Sequence, residues 1–301
     1  MDIRAILMGV VFAVMWASAF TSTRMIVTEA PPLFALALRF LLSGAIGVAI
    51  ALLMGETART LTRAQWRAVV ILGLCQNALY LGLNWVAMQW IEAGLASIIA
   101  ATMPLIVALL GWTLMGERLR PLGILGLALG LAGVAIIMGA RLQGGGSDPV
   151  GIVMCFAAAL ALAIATLTVR GASSGGNVMM VVGLQMLVGS GTLWIVAPLF
   201  EDLGANLHPR MVWAFLYTVI VPGLLATWIW FKLVGRIGAV RAATFHFLTP
   251  FFGVAAGALV LGEDLAAGDV IGVGVIMAGI LAVQLSKAPA PVVPVRRPPP
   301  A

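Results

Sequence analysis

The sequence predicts an all-α polytopic membrane protein whose ten transmembrane helices form two inverted five-helix repeats. Three observations carry that expectation: an apolar composition, an internal repeat with a constant offset of 146 residues, and a one-sided distribution of basic residues. Of the 301 residues 62% are hydrophobic and 9% charged, with a mean hydropathy of +1.12, so the solvent of most of this surface must be lipid. Residues 93–137 lie on 239–283 without a gap, matching Ala93, Ala96, Pro104, Gly116, Glu117, Gly126 and Gly133 to Ala239, Ala242, Pro250, Gly262, Glu263, Gly272 and Gly279. The same offset carries Met8 and Arg24 onto Met154 and Arg170. An Ala/Gly-rich chain matches small residues by chance, but not a Pro, a Gly-Glu and an Arg in one register.

Apolar runs of about 20 residues, enough to cross a bilayer, fall near 4–24, 33–54, 68–90, 93–115, 121–140, 150–170, 178–200, 211–234, 238–261 and 268–286. Between them stand turn and charge signals such as Glu29-Ala-Pro-Pro32, Gly116-Glu-Arg-Leu-Arg120-Pro121 and Gly144-Gly-Gly-Ser-Asp-Pro149. The expected organisation is a first repeat over 1–141, a Gly-rich linker over 142–149, a second repeat over 150–287 and a Pro-rich, disordered tail over 288–301. The first span is not read as a signal peptide, because Asp2 weakens its basic start and the segment recurs at Gly151–Arg170.

With the N-terminus in the cytoplasm, thirteen Lys and Arg residues lie inside, three lie outside (Arg24, Arg141 and Arg210), and Arg39 lies within a span. That bias places both termini in the cytoplasm. Five spans per repeat is an odd number, so the second repeat runs through the membrane upside down. Two such halves, related by a pseudo-two-fold axis in the membrane plane, suit alternating access with a substrate near the midplane. Pro104 and Pro250, equivalent in spans four and nine, are the candidate hinges. The Gly-rich runs 123–133 and 268–279 suit close helix packing. The net charge of +6 is spread between apolar runs, and no nucleic-acid partner is expected. Cys75 and Cys155 have no metal or disulfide spacing, and no cofactor or metal site is expected.

Polar groups in a span cost free energy and belong in the bundle interior or a wet cavity. Asn77, Tyr80, Asn84 and Met88 recur every three or four residues on one face of span three. Amides and a phenol beside Trp85 suit a zwitterion with an apolar side chain, with hydrogen bonds between helices as the alternative. Arg39, about 9 Å into span two, is expected to pair with Glu29 or Glu92 as an anchor. His246, one turn before Pro250, is read as a neutral hydrogen-bonded side chain, with proton coupling as the alternative. No Asp or Glu is placed inside a span, which disfavours a proton antiporter of cationic drugs. Glu117 and Glu263 are expected to complement the N-termini of the helices that follow them. Ser190 and His246 lack any hydrolase spacing, so no enzyme is expected.

Trp16-Ala-Ser-Ala-Phe20, Pro32 with Arg39-Phe40, and the repeated Pro, Gly-Glu and Gly-rich span resemble the drug/metabolite transporter superfamily in its ten-span EamA-type branch. Within that branch the chain is most similar to YddG-type bacterial exporters of aromatic and other neutral amino acids. The resemblance covers residues 4–286 and implies a basket of helices around a central cavity in the inner membrane, exporting from cytoplasm to periplasm. Leu162 and Gln185 stand where the second repeat would carry the counterparts of Trp16 and Arg39. The candidate substrate-binding residues are therefore Trp16, Ser18, Asn77, Tyr80, Asn84, Thr102, Thr166, Gln185 and His246. The expected partners are neutral amino acids and the lipid bilayer, and the expected state is a monomer. The alternatives are an exporter of another uncharged or lipophilic compound, and a passive channel.

Overall fold

The computed structural model describes residues 3–116, 120–144, 148–168, 177–202, 204, 208–237, 242 and 244–286. Glu117 and the Pro-rich tail lie outside them. Seven of the helical segments are α1 (Ile3–Val27), α2 (Pro32–Leu53), α3 (Arg63–Ala87), α5 (Pro121–Gly144), α6 (Pro149–Thr168), α7 (Val178–Phe200) and α10 (Ala267–Ser286). The span α4 consists of two helices, Ala93–Ala101 and Met103–Met115. The span α8 runs through Pro209–Thr218, Val219–Leu225 and Ala226–Ile237, and α9 through Thr244–Leu248, Thr249–Ala256 and Gly257–Leu261. Among the described residues nine spans are long and apolar enough to cross a membrane, and the apolar stretch of α9, Phe245–Leu261, is shorter.

Helix pairing reproduces the repeat. The offset of 146 residues carries α2 onto α7 and α5 onto α10, and these twins pack on each other. Where α5 meets α10, a Cβ on Gly126 would lie 2.7 Å from the carbonyl of Gly279, and one on Gly133 would lie 2.9 Å from that of Gly272. The offset turns the first contact into the second, as a two-fold axis requires. At α2 and α7, a Cβ on Gly183 would lie 3.1 Å from the Gly44 carbonyl, while Ser190 Oγ donates to the Ala37 carbonyl at 2.8 Å; these two contacts are also twins. Bare backbones meeting at glycine give van der Waals contact that lipid cannot match.

Carboxylates tie helix starts across the repeats. Glu201 accepts the N–H groups of Leu33 at 2.9 Å and Phe34 at 3.1 Å at the start of α2, and Glu56 accepts that of Met180 at 2.7 Å at the start of α7. Phe34 and Met180 are twins under the offset. Glu263 does not complement α10, which follows it: its two oxygens accept Ala93 N–H at 2.6 Å and Gly94 N–H at 2.8 Å, at the start of α4. Four unpaired N–H groups and a positive dipole end explain the preference. Burial pushes the Glu263 carboxyl above its ordinary pKa, against the opposing pull of these two N–H donors and Arg24. Each link joins ends that the alternating direction of the spans brings to one face.

Sequence periodicity missed the interruptions. Gly73–Leu81 in α3 and Val219–Leu225 in α8 are π-helical and begin at twin positions. Gly189 sits against Asn77 Cβ, and at the twin contact a Cβ on Gly223 would lie 3.2 Å from Ser43 Oγ, so widened turns occur where a neighbouring helix presses in.

If glycine contacts hold the twins together, Gly279→Ala, whose Cβ would meet Gly130 N at 2.5 Å, should lower thermal stability in detergent by the equivalent of about 1–3 kcal/mol. Gly274→Ala, with nothing within 4 Å, should leave the melting temperature unchanged.

Candidate functional site

A stack of four rings joins α1, α8 and α9. Phe12 and Trp16 lie one turn apart on α1 with centroids 5.8 Å apart. The His246 ring stands edge-on to both, at 5.1 and 5.7 Å. Trp230 of α8 closes the group at 4.9 Å from Phe12 and 5.2 Å from His246. Such arrangements follow the quadrupole preference of aromatic pairs. Beyond the stack, toward the face where α1 begins, Phe245 packs with Ala5, Leu233 and Ala242. We call this the N-terminal face.

The offset carries Phe12, Trp16, Trp230 and His246 onto Ala158, Leu162, Asn84 and Ala100. There, in the half of the bundle away from the N-terminal face, Tyr80 is buried with Ala158 and Leu162, and Ala100 and Met103 pack around them. One twin thus holds four aromatic rings and the other a single phenol with aliphatic side chains. The bundle is symmetric in backbone and asymmetric in how its two halves are filled.

Both twins adjoin a broken span. In α4 the first helix ends at Ala101 and the second starts at Met103, with Thr102 between them donating its hydroxyl to the Ile99 carbonyl at 2.6 Å. In α9 a 3₁₀ turn carrying His246 ends at Leu248, one residue before the α-helix. Pro104 and Pro250, the expected hinges, do not interrupt a continuous helix; each sits in the first turn after the break, where its missing N–H costs little.

The other candidate residues spread along the interior. Asn77 Nδ2 donates to the Gln185 carbonyl at 2.9 Å, and Asn84 Nδ2 to the Tyr80 carbonyl at 2.8 Å. Asn84 Oδ1 and Gln185 Oε1 are buried without a hydrogen-bond partner. Ser18 Oγ lies 2.8 Å from the Tyr217 hydroxyl, and Thr166 Oγ1 donates to the Leu162 carbonyl at 2.7 Å. Trp16 with His246, Asn77 with Gln185, and Asn84 with Tyr80 one turn away are the pairs that contacts bring together. Two cavities open at the face opposite the N-terminal one, and none of the nine residues lines either. One of these, about 490 Å³, is lined by Arg24, Arg210, His208 and four acidic residues, and Arg24 Nη1 donates to the Met88 carbonyl in its neighbourhood.

Two expectations change, those for Arg39 and for acids within the spans. Arg39 does not pair with Glu29 or Glu92: it is buried, 5.4 Å over the Phe40 ring and 5.7 Å over the Trp85 ring, with Nε unpartnered. Asp269, overlooked as a span acid, is fully buried in the first turn of α10, its Oδ2 accepting Ala266 N–H at 3.1 Å. Ser190 and His246 have separate partners, Ala37 and the aromatic stack. Phe12 and Trp230 escaped the sequence reading. Phe12 lies four residues before Trp16, and Trp230 is the twin of Asn84, so the repeat itself was the available signal.

The match to known proteins follows the same register. The model of the EamA-like transporter family matches residues 3–139 and again 149–285, two copies offset by 146 residues. The transporter YvbV of Bacillus subtilis is 26% identical over 282 residues, covering 93% of this chain and 92% of its own length. The inner membrane transporter YedA of Escherichia coli K12 is 27% identical over 299 residues, covering 97% and 95%. These relatives are named as transporters, with no substrate in either name. A solved crystal structure 22% identical to this chain shares its fold, with a TM-score of 0.66 over 95% of this chain and 98% of that one.

An unpaired buried charge is dispensable for folding when its replacement packs as well. Arg39→Met should therefore match or exceed the native melting temperature, and a fall of several degrees would show that the guanidinium holds the fold. The chain is a multi-pass membrane protein of the EamA-like transporter family.

Proposed function

We propose that this transporter exports neutral amino acids, aromatic ones among them, from cytoplasm to periplasm by alternating access. The observation that carries the reading is the pair of twin breaks in α4 and α9, each beside one of the two interior clusters. A break at the same depth in both repeats gives each half a hinge at Pro104 or Pro250. Inversion of the repeats then makes the opening of one mouth the mirror of closing the other.

The aromatic stack is the closure on the cytoplasmic side, under the topology that the basic residues favour. Separating α1 from α8 and α9 exposes Trp16 and the His246 edge, flat surfaces suited to a phenyl or indole side chain. The unpartnered acceptors Asn84 Oδ1 and Gln185 Oε1 suit an ammonium, and the buried Arg39 guanidinium beside Trp85 suits the carboxylate of a zwitterion.

Efflux from proteoliposomes loaded with radiolabelled phenylalanine or threonine tests this directly. Saturable efflux, accelerated by external neutral amino acid and unaffected by a nucleotide sugar or a quaternary cation, is expected. A pH dependence lost in His246→Gln would give that histidine a coupling role. Linear flux without exchange would mean a channel, and no amino-acid flux would overturn the substrate class.

A further inference from the structure

A groove of about 850 Å³ runs between α3 and α7, from Leu74 up to Glu29 and Asp202 at the face opposite the N-terminal one. Its volume is that of a small-molecule pocket. Leu74, Leu79, Trp90 and Phe200 stand exposed along it, so it opens sideways to lipid. Leu74 precedes the end of α3 at Ala87 by about 20 Å of helix, so the groove reaches deep into a hydrocarbon core about 30 Å thick.

The repeat shows that this space is not imposed by the fold. The offset carries Ala78, Gly82 and Val86 onto Leu224, Trp228 and Lys232. There the Lys232 ammonium lies over the Trp228 ring at 5.7 Å: at that position the protein supplies its own apolar body and its own cation. In the α3–α7 groove both are missing, and a Cβ on Gly82 would only touch Leu33 and Leu193, at 3.4 and 3.7 Å.

The rim has one sign. Glu29, Glu201 and Asp202 line it, with no Lys, Arg or His among the described lining residues. Glu201 is engaged by the start of α2; Asp202, and Glu29 on the border with the neighbouring cavity of Arg24, Arg210 and His208, are exposed and face the headgroup layer. An anionic headgroup would be repelled there and an ammonium held.

We propose that this groove holds one acyl chain of a bilayer phospholipid whose headgroup ends in a primary ammonium. The chain lies along Ala78 and Gly82, and the ammonium sits between Glu29 and Asp202. The site stands apart from the transport pathway and does not rest on the identity of the transported solute.

Native mass spectrometry of the delipidated full chain, offered equal amounts of phosphatidylethanolamine and phosphatidylglycerol, tests it. The expected result is a several-fold excess of phosphatidylethanolamine adduct, lost in Gly82→Trp. Ala78→Leu, a smaller step toward the twin, should reduce the excess should the tryptophan variant fail to fold. Glu29→Gln with Asp202→Asn should keep lipid bound while erasing the headgroup preference. Equal retention of the two lipids, or an excess that survives the folded groove variants, would overturn the proposal. So would displacement of phosphatidylethanolamine by an equal concentration of dodecylammonium, which would assign the groove to a free cationic amphiphile.

Discussion

Lipid tails compete with side chains for every apolar contact, so the helices of this protein are held where glycine lets one backbone touch another. The contacts of Gly126 with Gly279 and of Gly133 with Gly272 are a single contact made twice by a two-fold axis. The other symmetric arrangements follow from it. It aligns α5 with α10, and the matching approach at Gly44 and Gly183 aligns α2 with α7. The remaining spans then face each other across the interior. The carboxylate links from Glu56 and Glu201 repeat the relation at the two faces, where helix starts present N–H groups that lipid cannot satisfy.

In the alternating-access cycle proposed above, asymmetric filling of a symmetric backbone sets which mouth is closed at rest, while the gradients across the membrane set the net direction. A strictly symmetric pair of halves would give two conformations of equal free energy. Four stacked rings at α1, α8 and α9, against Tyr80 with alanines and leucine at the twin, make the two closures unequal. Under that proposal the better packed closure favours a resting state sealed at the N-terminal face, and ligand binding supplies the difference.

The fold was legible in the sequence because its strongest signals are long-range. Hydropathy gave the spans, and the offset from Pro104 to Pro250 and from Glu117 to Glu263 gave the repeat. The finer structure depends on contacts that no local pattern encodes. The widened turns at Gly73 and Val219 arise where a neighbouring helix presses in, and Glu263 chose the start of α4 over the adjacent helix because that end lies beside it in space. Arg39 was given an acidic partner by sequence proximity to the same face, yet aromatic faces at Phe40 and Trp85 hold it instead. Within the candidate site, Trp16 and His246 were each legible as polar or aromatic groups in a span. Their union with Phe12 and Trp230 required knowing that α1 packs on α8 and α9.

The most direct test of coupled, opposite motion of the two halves is a pair of spin-label distances at twin positions. Labels at Leu7 and Lys232 span α1 and α8 on the N-terminal side, and labels at Val153 and Val86 span their twins α6 and α3 on the other. Pulsed electron–electron resonance in nanodiscs, with and without saturating phenylalanine, should show one distribution lengthening while the other shortens. Two distributions that stay fixed, or that lengthen together, would contradict alternating access built on this inverted repeat.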